Sequence, residues 1–379
     1  MEYIKIGDLT TVVTGGTPST SVHEYWDDGN VPWLQSGCCQ NCDVIDTEKY
    51  ITQSGYDNSS TKMMPPDTVM IALTGATAGK VGYLKFDACG NQSITGILPC
   101  ESVDQRYLFY YLMSQRSKIL SDCIGGAQPH ISQGYVKDFV VPVLPISEQR
   151  DISRKLCMID ELIETRNQQI LKLDELVKSR FIEMFGDVPE AEHTTMPEVC
   201  SIITDGTHQP PKFVSSGIPF LFVSNIVTNK ITYNAEKFIS EETYKELMKR
   251  TPIEIGDILL STVGSYGHPA VVETDRPFSF QRHIAYLKPK KDVINSIYLY
   301  GALLSADVQK QIDERVKGIA QKTLNLSEIR KLHFPLPSME VQNQFATFVE
   351  QTDKLKFEVK EALEKLETLK KSLMQQYFG

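Results

Sequence analysis

The chain has 379 residues, 41% of them hydrophobic, with 39 basic and 48 acidic side chains and a formal net charge of −9. That length accommodates more than one globular domain, and no apolar run approaches the roughly 20 residues needed to cross a bilayer. Residues 1–150 hold 10 basic and 16 acidic side chains and residues 188–344 hold 17 and 18, so bulk charge cannot grip nucleic-acid phosphates; such contacts would come from local clusters or from partner subunits.

In chain order, the opening Met-Glu-Tyr-Ile-Lys has no secretory-signal character. Thr14-Gly-Gly-Thr-Pro18 reads as a turn and Val31-Pro-Trp-Leu34 as a short strand. The eight cysteines, Cys38, Cys39, Cys42, Cys89, Cys100, Cys123, Cys157 and Cys200, fall almost entirely in the first half. We read them as reduced thiols of a cytoplasmic protein, because a disulfide framework would have been duplicated with the rest of the chain. Cys39 and Cys42 make a C-x-x-C without a second close pair, and no metal site is expected. The apolar run Val69-Met-Ile-Ala-Leu73 predicts a strand, and the polar loop Thr74-Gly-Ala-Thr-Ala-Gly-Lys-Val-Gly82 follows it. That loop superficially matches a phosphate cradle. It has three residues rather than four between Gly75 and Gly79, and Val81 stands where Ser or Thr would hold magnesium, so no nucleotide cofactor is expected. Residues 105–120 carry helical periodicity.

From residue 150 the pattern changes. Ile152, Lys155, Ile159, Leu162, Arg166, Gln169, Leu173 and Leu176 are spaced 3, 4, 3, 4, the period of a coiled-coil seam. A second pass of short strands follows, including Ile258-Leu-Leu-Ser261 and the loop Thr262-Val-Gly-Ser-Tyr-Gly-His268, then a helical stretch over 296–316. The chain closes on a second seam, Phe345, Phe348, Thr352, Leu355, Val359, Ala362, Leu366, Leu369 and Leu373.

The second pass repeats the first. Adding 193 carries Gly186 to Gly379, Gln128 to Gln321, Pro142 to Pro335, Gln149 to Gln342 and each residue of the first seam onto the second. A period of about 190 residues is too long for a solenoid and long enough for a domain. Matching seam phases imply that the two helices meet each other, antiparallel, with a globular domain at each end. The expected architecture is α+β: domain 1–149, helix 150–186, domain 187–343, helix 344–379, with Ile159, Leu162, Leu173, Leu176, Leu355, Val359, Leu366 and Leu369 in the seam.

These motifs together resemble the specificity subunit of Type I restriction-modification systems, along the whole chain. The resemblance is carried by Thr14-Gly-Gly-Thr-Pro18 with Val31-Pro-Trp-Leu34, repeated as Thr204-Asp-Gly-Thr-His208 with Ile218-Pro-Phe-Leu221. Further along it rests on Pro66-Asp-Thr-Val69 and the loop to Lys80, and on Gln128-Pro-His-Ile-Ser132 with Gln321-Lys-Thr-Leu-Asn325. Leu144-Pro-Ile-Ser-Glu-Gln149 and Leu336-Pro-Ser-Met-Glu-Val-Gln342 open the two helices, the second with Val341 inserted.

The resemblance implies two target recognition domains, each reading one half of a split double-stranded DNA sequence. The helices would set the spacing and dock two methyltransferase subunits and, in the nuclease, restriction or motor subunits. Catalytic residues, cofactors and metals are not expected: there is no Asn-Pro-Pro-Tyr or Asp-Pro-Pro-Tyr motif, no intact Walker A loop and no His-Glu-x-x-His. Candidate DNA contacts are the polar loop residues: Thr17, Ser19, Gln35, Ser36, Thr74, Thr77, Lys80, Gln92, Gln128 and His130 in the first copy, and Thr207, His208, Gln209, Lys212, Ser224, Asn225, Ser265, Tyr266, His268, Gln281, Arg282, Gln321 and Lys322 in the second. Lys80 and Arg282 are read as phosphate contacts. The alternative is a non-enzymatic two-domain scaffold for a symmetric protein partner, which the acidity favours and the polar Gly loops do not.

Overall fold

The computed structural model describes residues 2–122, 130–186, 188–189, 192–318 and 322–379. It divides into two units, Met1–Arg166 with Ala362–Gly379, and Asn167–Glu361.

The strands of the first unit are β1 (Glu2–Lys5), β2 (Val12–Thr14), β3 (Val31–Leu34), β4 (Cys42–Val44), β5 (Tyr50–Ile51), β6 (Val69–Ala72), β7 (Val81–Leu84), β8 (Cys89–Gly90), β9 (Ile94–Ile97) and β10 (Val140–Val143). They form a sheet ordered β2-β9-β6-β7-β4, a smaller sheet β5-β3-β8 and the pair β1-β10. β6 lies inside its sheet and all four of its residues are buried, which is why it reads as an unbroken apolar run. In the second unit the strands are β11 (His193–Thr195), β12 (Cys200–Asp205), β13 (Phe213–Val214), β14 (Ile218–Leu221), β15 (Lys237–Ile239), β16 (Ile258–Ser261), β17 (Pro269–Val271), β18 (Ser279–Phe280), β19 (Ile284–Pro289) and β20 (His333–Pro335). Their sheets, β12-β19-β16-β17, β13-β15-β14-β18 and β11-β20, repeat the first plan. Even the parallel pairing recurs, β3 with β8 and β14 with β18.

Each predicted mid-domain helix is broken in two: Gln105–Ser114 then Arg116–Ser121, and Ser296–Leu304 then Ala306–Arg315. The first member of each pair is N-capped by a short polar side chain. Asp104 accepts from the Tyr107 amide at 2.9 Å, and Asn295 from the Ile297 amide at 2.8 Å, satisfying donors that the first turn leaves open. The cap is itself held. Buried Gln149 accepts from the Asp104 amide at 2.9 Å and donates to the Leu144 carbonyl at 2.7 Å, and buried Gln342 accepts from the Asn295 amide at 2.8 Å and donates to the Pro337 carbonyl at 2.9 Å. Val341 is not an insertion: the offset of 193 runs unbroken from Pro142 and Pro335 to Gln149 and Gln342, so Val341 stands in the place of Glu148 and the brace is the same in both copies. Likewise the Tyr107 hydroxyl donates to the Pro142 carbonyl at 2.9 Å and the Tyr298 hydroxyl to the Pro335 carbonyl at 2.6 Å.

The long helices span Ile146–Phe185 and Met339–Phe378, beginning four and five residues before the expected bounds of 150 and 344. Each is shared between the units. In the first unit Ile152 and Leu156 enter the core with Phe378, backed by Leu373, Met374 and Tyr377. In the second, Phe181 and Phe185 pack against Tyr298 and Phe345. Asp160 pairs with Lys370 at 2.5 Å in one unit and Asp174 pairs with Lys356 in the other, so within each unit the two helical stretches run antiparallel.

The packed stripe differs from the expected seam by one residue at every second position. Ile159 is buried and Leu173, Val359 and Leu366 are half-buried, whereas Leu162, Leu176, Leu355 and Leu369 are 45%, 47%, 53% and 47% exposed. Their inward places are taken by Ile163, Val177, Lys356 and Lys370.

Replacing Gln149 or Gln342 by Ala strips a buried cap amide of its acceptor, and each change is expected to lower stability by about 1–3 kcal/mol, measured by denaturant unfolding of the full chain. Equal stability of both variants and the unaltered chain would remove the brace from the fold's determinants.

Candidate nucleic-acid interface

The candidate residues gather where three strands end. In the first unit β2 ends at Thr14, β6 ends at Ala72 and β9 begins at Ile94; in the second, β12 ends at Asp205, β16 ends at Ser261 and β19 begins at Ile284. The chain leaves β2 through Gly15, whose amide donates to the Ile94 carbonyl at 3.2 Å, and leaves β12 through Gly206, whose amide donates to the Ile284 carbonyl at 3.2 Å. A Cβ at Gly15 would lie 2.1 Å from the Gly90 oxygen, and one at Gly206 2.3 Å from the Phe280 oxygen. Close backbone approach therefore dictates glycine in both turns.

On this shared backbone the side chains differ. In the first unit Thr17 donates to the Gln92 amide oxygen at 2.5 Å, and Thr74 bridges to His130. Thr17, Ser19, Gln35, Gln92 and His130 are exposed and Ser36, Thr74, Thr77 and Lys80 half-buried. Ser19 also receives the Trp26 indole N–H on its carbonyl at 3.1 Å. In the second unit Thr207 bridges to Gln281, and the Arg282 amide donates to the Thr207 carbonyl at 3.2 Å. Thr207 turns its hydroxyl onto the Gln209 carbonyl at 2.8 Å, as a turn residue does. His208, Gln209, Lys212, Ser224, Ser265, Arg282 and Lys322 are exposed.

A cleft of about 280 Å³ opens among these groups in the second unit, lined by Asp205, His208, Thr262, Arg282, His283 and Thr323. Three of its charged or titratable neighbours were not anticipated from sequence. Asp205 is 14% exposed, holds the His208 ring at 3.0 Å and pairs with Arg250, which also donates to the Thr204 hydroxyl at 3.2 Å. His283 accepts from Arg282 Nε at 3.3 Å. The only sequence signal for Asp205 is its place inside the repeated turn; Arg250 carries none.

The two Gly-rich loops are also equivalent. Gly75 and Gly264 have φ of 73° and 74°, Gly79 and Gly267 71° and 80°, a region that favours glycine. The Gly79 amide donates to the Ala72 carbonyl and the Gly267 amide to Ser261, both at 2.9 Å. Ala72 donates to Lys80 and Ser261 to His268, both at 3.0 Å, so His268 occupies the place of Lys80. Lys80 donates to Gln40 Oε1 at 2.6 Å, while His268 lies half-buried with Nδ1 3.3 Å from Asn229 Oδ1.

Two candidates engage their polar atoms within the fold. Asn225 is buried and spends its side chain on the Phe222 amide and on the Thr232 and Asn234 carbonyls, at 2.9, 3.1 and 3.2 Å, so it braces a loop. Tyr266 points its hydroxyl at Asp313, 2.9 Å away, with the Lys322 ammonium 5.9 Å from its ring centre. Gln128 and Gln321 lie outside the described residues. A second cavity of about 440 Å³, lined by Phe181, Tyr300, Phe345, Asp174 and Lys356, contains none of the candidates. The seven described cysteines are free thiols; among the described residues no cluster of His, Cys, Asp and Glu is arranged for a metal, and no helix is long and apolar enough to cross a membrane.

Burial and then the neighbouring Arg282 cation hold the His283 imidazole below its ordinary value. In an NMR titration its midpoint is expected to lie below that of a solvated histidine and to rise in Arg282→Ala, because only the neutral ring accepts from Arg282. An unchanged midpoint in the variant would separate the two side chains.

The family described as "Type I restriction modification DNA specificity domain" matches residues 1–174 and again 198–370. The "Type I restriction enzyme MjaIX specificity subunit" of Methanocaldococcus jannaschii is 25% identical over 372 residues, covering 91% of this chain and 85% of that protein. The fold is similar to that of the Type-I restriction-modification system S subunit from M. genitalium, with a TM-score of 0.58 at 16% identity, over 100% of this chain and 96% of that one. A chain from work on "complex assembly" and "conformational transition of the type I R-M system" gives a TM-score of 0.62 at 16% identity, over 100% and 97%.

Proposed function

The chain belongs to the Type I restriction modification DNA specificity family, with two copies of its domain, and on that premise we propose that it is the non-catalytic, cytoplasmic specificity subunit of a Type I complex, each unit reading one half of a bipartite double-stranded DNA target. The observation that carries this reading is the strand-end surface, where one backbone plan displays two different sets of polar side chains. Thr17 with Gln92 and Lys80 stand on one copy, His208 with Gln281 and Arg282 on the other. A fixed frame with diverged polar groups suits two readers of different base sequences. The acidic balance of the chain leaves much of the phosphate grip to partners.

The exposed leucines support docking of two methyltransferase subunits, with restriction or motor subunits joining the complex. Leu162 and Leu369 belong to the first unit, Leu176 and Leu355 to the second. The offset of 193 relates Leu162 to Leu355 and Leu176 to Leu369, so each unit offers an equivalent apolar pair to one copy of a partner. Base flipping and methyl transfer are the partner's work.

Two experiments test the reading. Deleting the gene is expected to abolish adenine methylation at a motif of two short blocks around a fixed run of unspecified bases; loss of a continuous palindrome instead would defeat the two-reader proposal.

The spacing role is tested by removing one heptad from each helix, Gln169–Glu175 with Ala362–Thr368, which keeps the stripes in phase and shortens each helix by about 10 Å. At about 3.4 Å per base pair the preferred gap is expected to shrink by up to about three base pairs while the bases in each block stay the same. Affinity should fall as well, since three base pairs turn the duplex by nearly a third of its roughly 10.5-pair period. Modification at the original gap by a soluble, partner-bound variant would leave the helices a docking surface alone.

A further inference from the structure

Three of the eight cysteines sit within five residues, on the loop that carries β3 into β4 in the first unit. The loop's counterpart in the second unit explains part of this. Cys39 and Ile226 are both wholly buried, and both donate their amides back three residues, to Ser36 and Val223, so Cys39 is a core side chain. Cys38 corresponds to Asn225, the side chain that braces the second loop. Cys38 makes no such brace. It is half-buried, and Cys42 is exposed at the first position of β4, in register with Gly82 beside the Lys80 loop. Between them Gln40 donates to the Gly37 carbonyl at 2.9 Å and accepts from Lys80 Nζ at 2.6 Å.

We propose that Cys38 and Cys42 are a modification site: a peroxide oxidant joins them in a reversible disulfide that dislodges Gln40 and releases Lys80, so that one half of the target is read under redox control. The control over reading rests on the DNA function proposed above; the modification does not. The Cys38 thiolate attacks one peroxide oxygen, the O–O bond breaks, and the leaving hydroxide takes a proton, giving a sulfenic acid and water. The Cys42 sulfur, giving up its proton, then attacks the Cys38 sulfur; the S–O bond breaks and the departing hydroxide collects that proton as a second water. Two thiols and one peroxide thus become a disulfide and two waters, and a dithiol reverses the step. The Cys39 thiol donates a hydrogen bond to the Cys38 sulfur and holds its ionisation below the usual thiol value, marking Cys38 as the attacking group. Partial burial raises Cys42, which fits it to resolve the sulfenic acid. Ring closure across residues 38–42 draws in the segment that bears Gln40, and Lys80 loses its acceptor.

The test uses the full-length chain with hydrogen peroxide as the oxidant and has three readouts. Peptide mapping is expected to give a Cys38–Cys42 cross-link that dithiothreitol removes, and Cys42→Ser is expected to leave a Cys38 sulfenic acid trapped by dimedone. Labelling of Lys80 by an amine-reactive reagent should increase several-fold on oxidation and stay constant in Cys42→Ser. Affinity for target DNA should fall several-fold on oxidation of the unaltered chain and recover on reduction, with Cys42→Ser insensitive. If Cys38 and Cys42 remain separate thiols at peroxide levels that oxidise free cysteine, or cross-link without changing Lys80 labelling, the proposal is overturned. A reduced chain with no affinity for its target sequence, even with the methyltransferase present, would instead count against the DNA reading, while the mapping and labelling would still decide the thiol chemistry.

Discussion

Neither globular unit closes its core without the long helices. The first is completed by residues from the far end of the chain: Phe378 packs edge-on to Tyr107 and Tyr111, with ring centres 5.4 and 5.8 Å apart. The second takes Phe181 and Phe185 from the end of the long helix before its strands and Phe345 from the start of the one after them. A narrow apolar stripe on a 40-residue helix cannot stand in water alone. Helix packing and domain folding are therefore one constraint, and the paired glutamines Gln149 and Gln342 weld it at the atomic level by tying each long helix's first turn to the cap of a domain helix. Because that weld is duplicated, the plan of the two domains is held constant while their loops are free to diverge.

The duplication, the long helices and the buried strands β6 and β16 were legible because each imposes a period or an unbroken apolar run on the sequence. The phase of the packed stripe was not. Its first set of positions, Ile152, Ile159, Arg166 and Leu173, belongs equally to a 3,4 and a 4,3 pattern. At the alternate positions two apolar residues stand side by side, Leu162 with Ile163 and Leu176 with Val177, and periodicity alone cannot choose between neighbours 100° apart. On the second helix the choice ran against chemistry that a hydrophobicity pattern scores wrongly. Lys356 and Lys370 lie inward with their side chains 15% and 24% exposed, covering apolar surface with their stems and meeting Asp174 and Asp160 with their ammonium groups. Leu355 and Leu369, the obvious choices, are left to solvent.

At the strand-end surface the glycines were legible for a physical reason and the polar residues were not. A Cβ at Gly15 or Gly206 would collide with a carbonyl, so both turns keep glycine whatever the loop does. A polar loop side chain carries no comparable mark: Asn225, which braces a turn, and His208, which faces a cleft, look alike in sequence. Arg250 is separated from Asp205 by 45 residues and lies outside any repeated motif, so only the fold could bring them together.

The same contrast explains how two copies with one backbone come to differ in chemistry. Where a position serves the frame, the two copies keep the geometry and often the residue, as at Gln149 and Gln342 or Tyr107 and Tyr298. Where the frame can be held in more than one way, identity drifts without moving the chain: Ile226 and Cys39 fill equivalent places, and His268 sits where Lys80 does, its ring turned to Asn229 as the lysine is turned to Gln40. Drift of this kind is how a lysine cation in one copy becomes a half-buried imidazole in the other. It is also how a polar brace at Asn225 becomes, at Cys38, a sulfur with chemistry of its own. A duplicated scaffold in which packing and backbone bonds carry the stability leaves its exposed positions without a structural duty, and side chains without a structural duty are the ones available to tell one sequence from another.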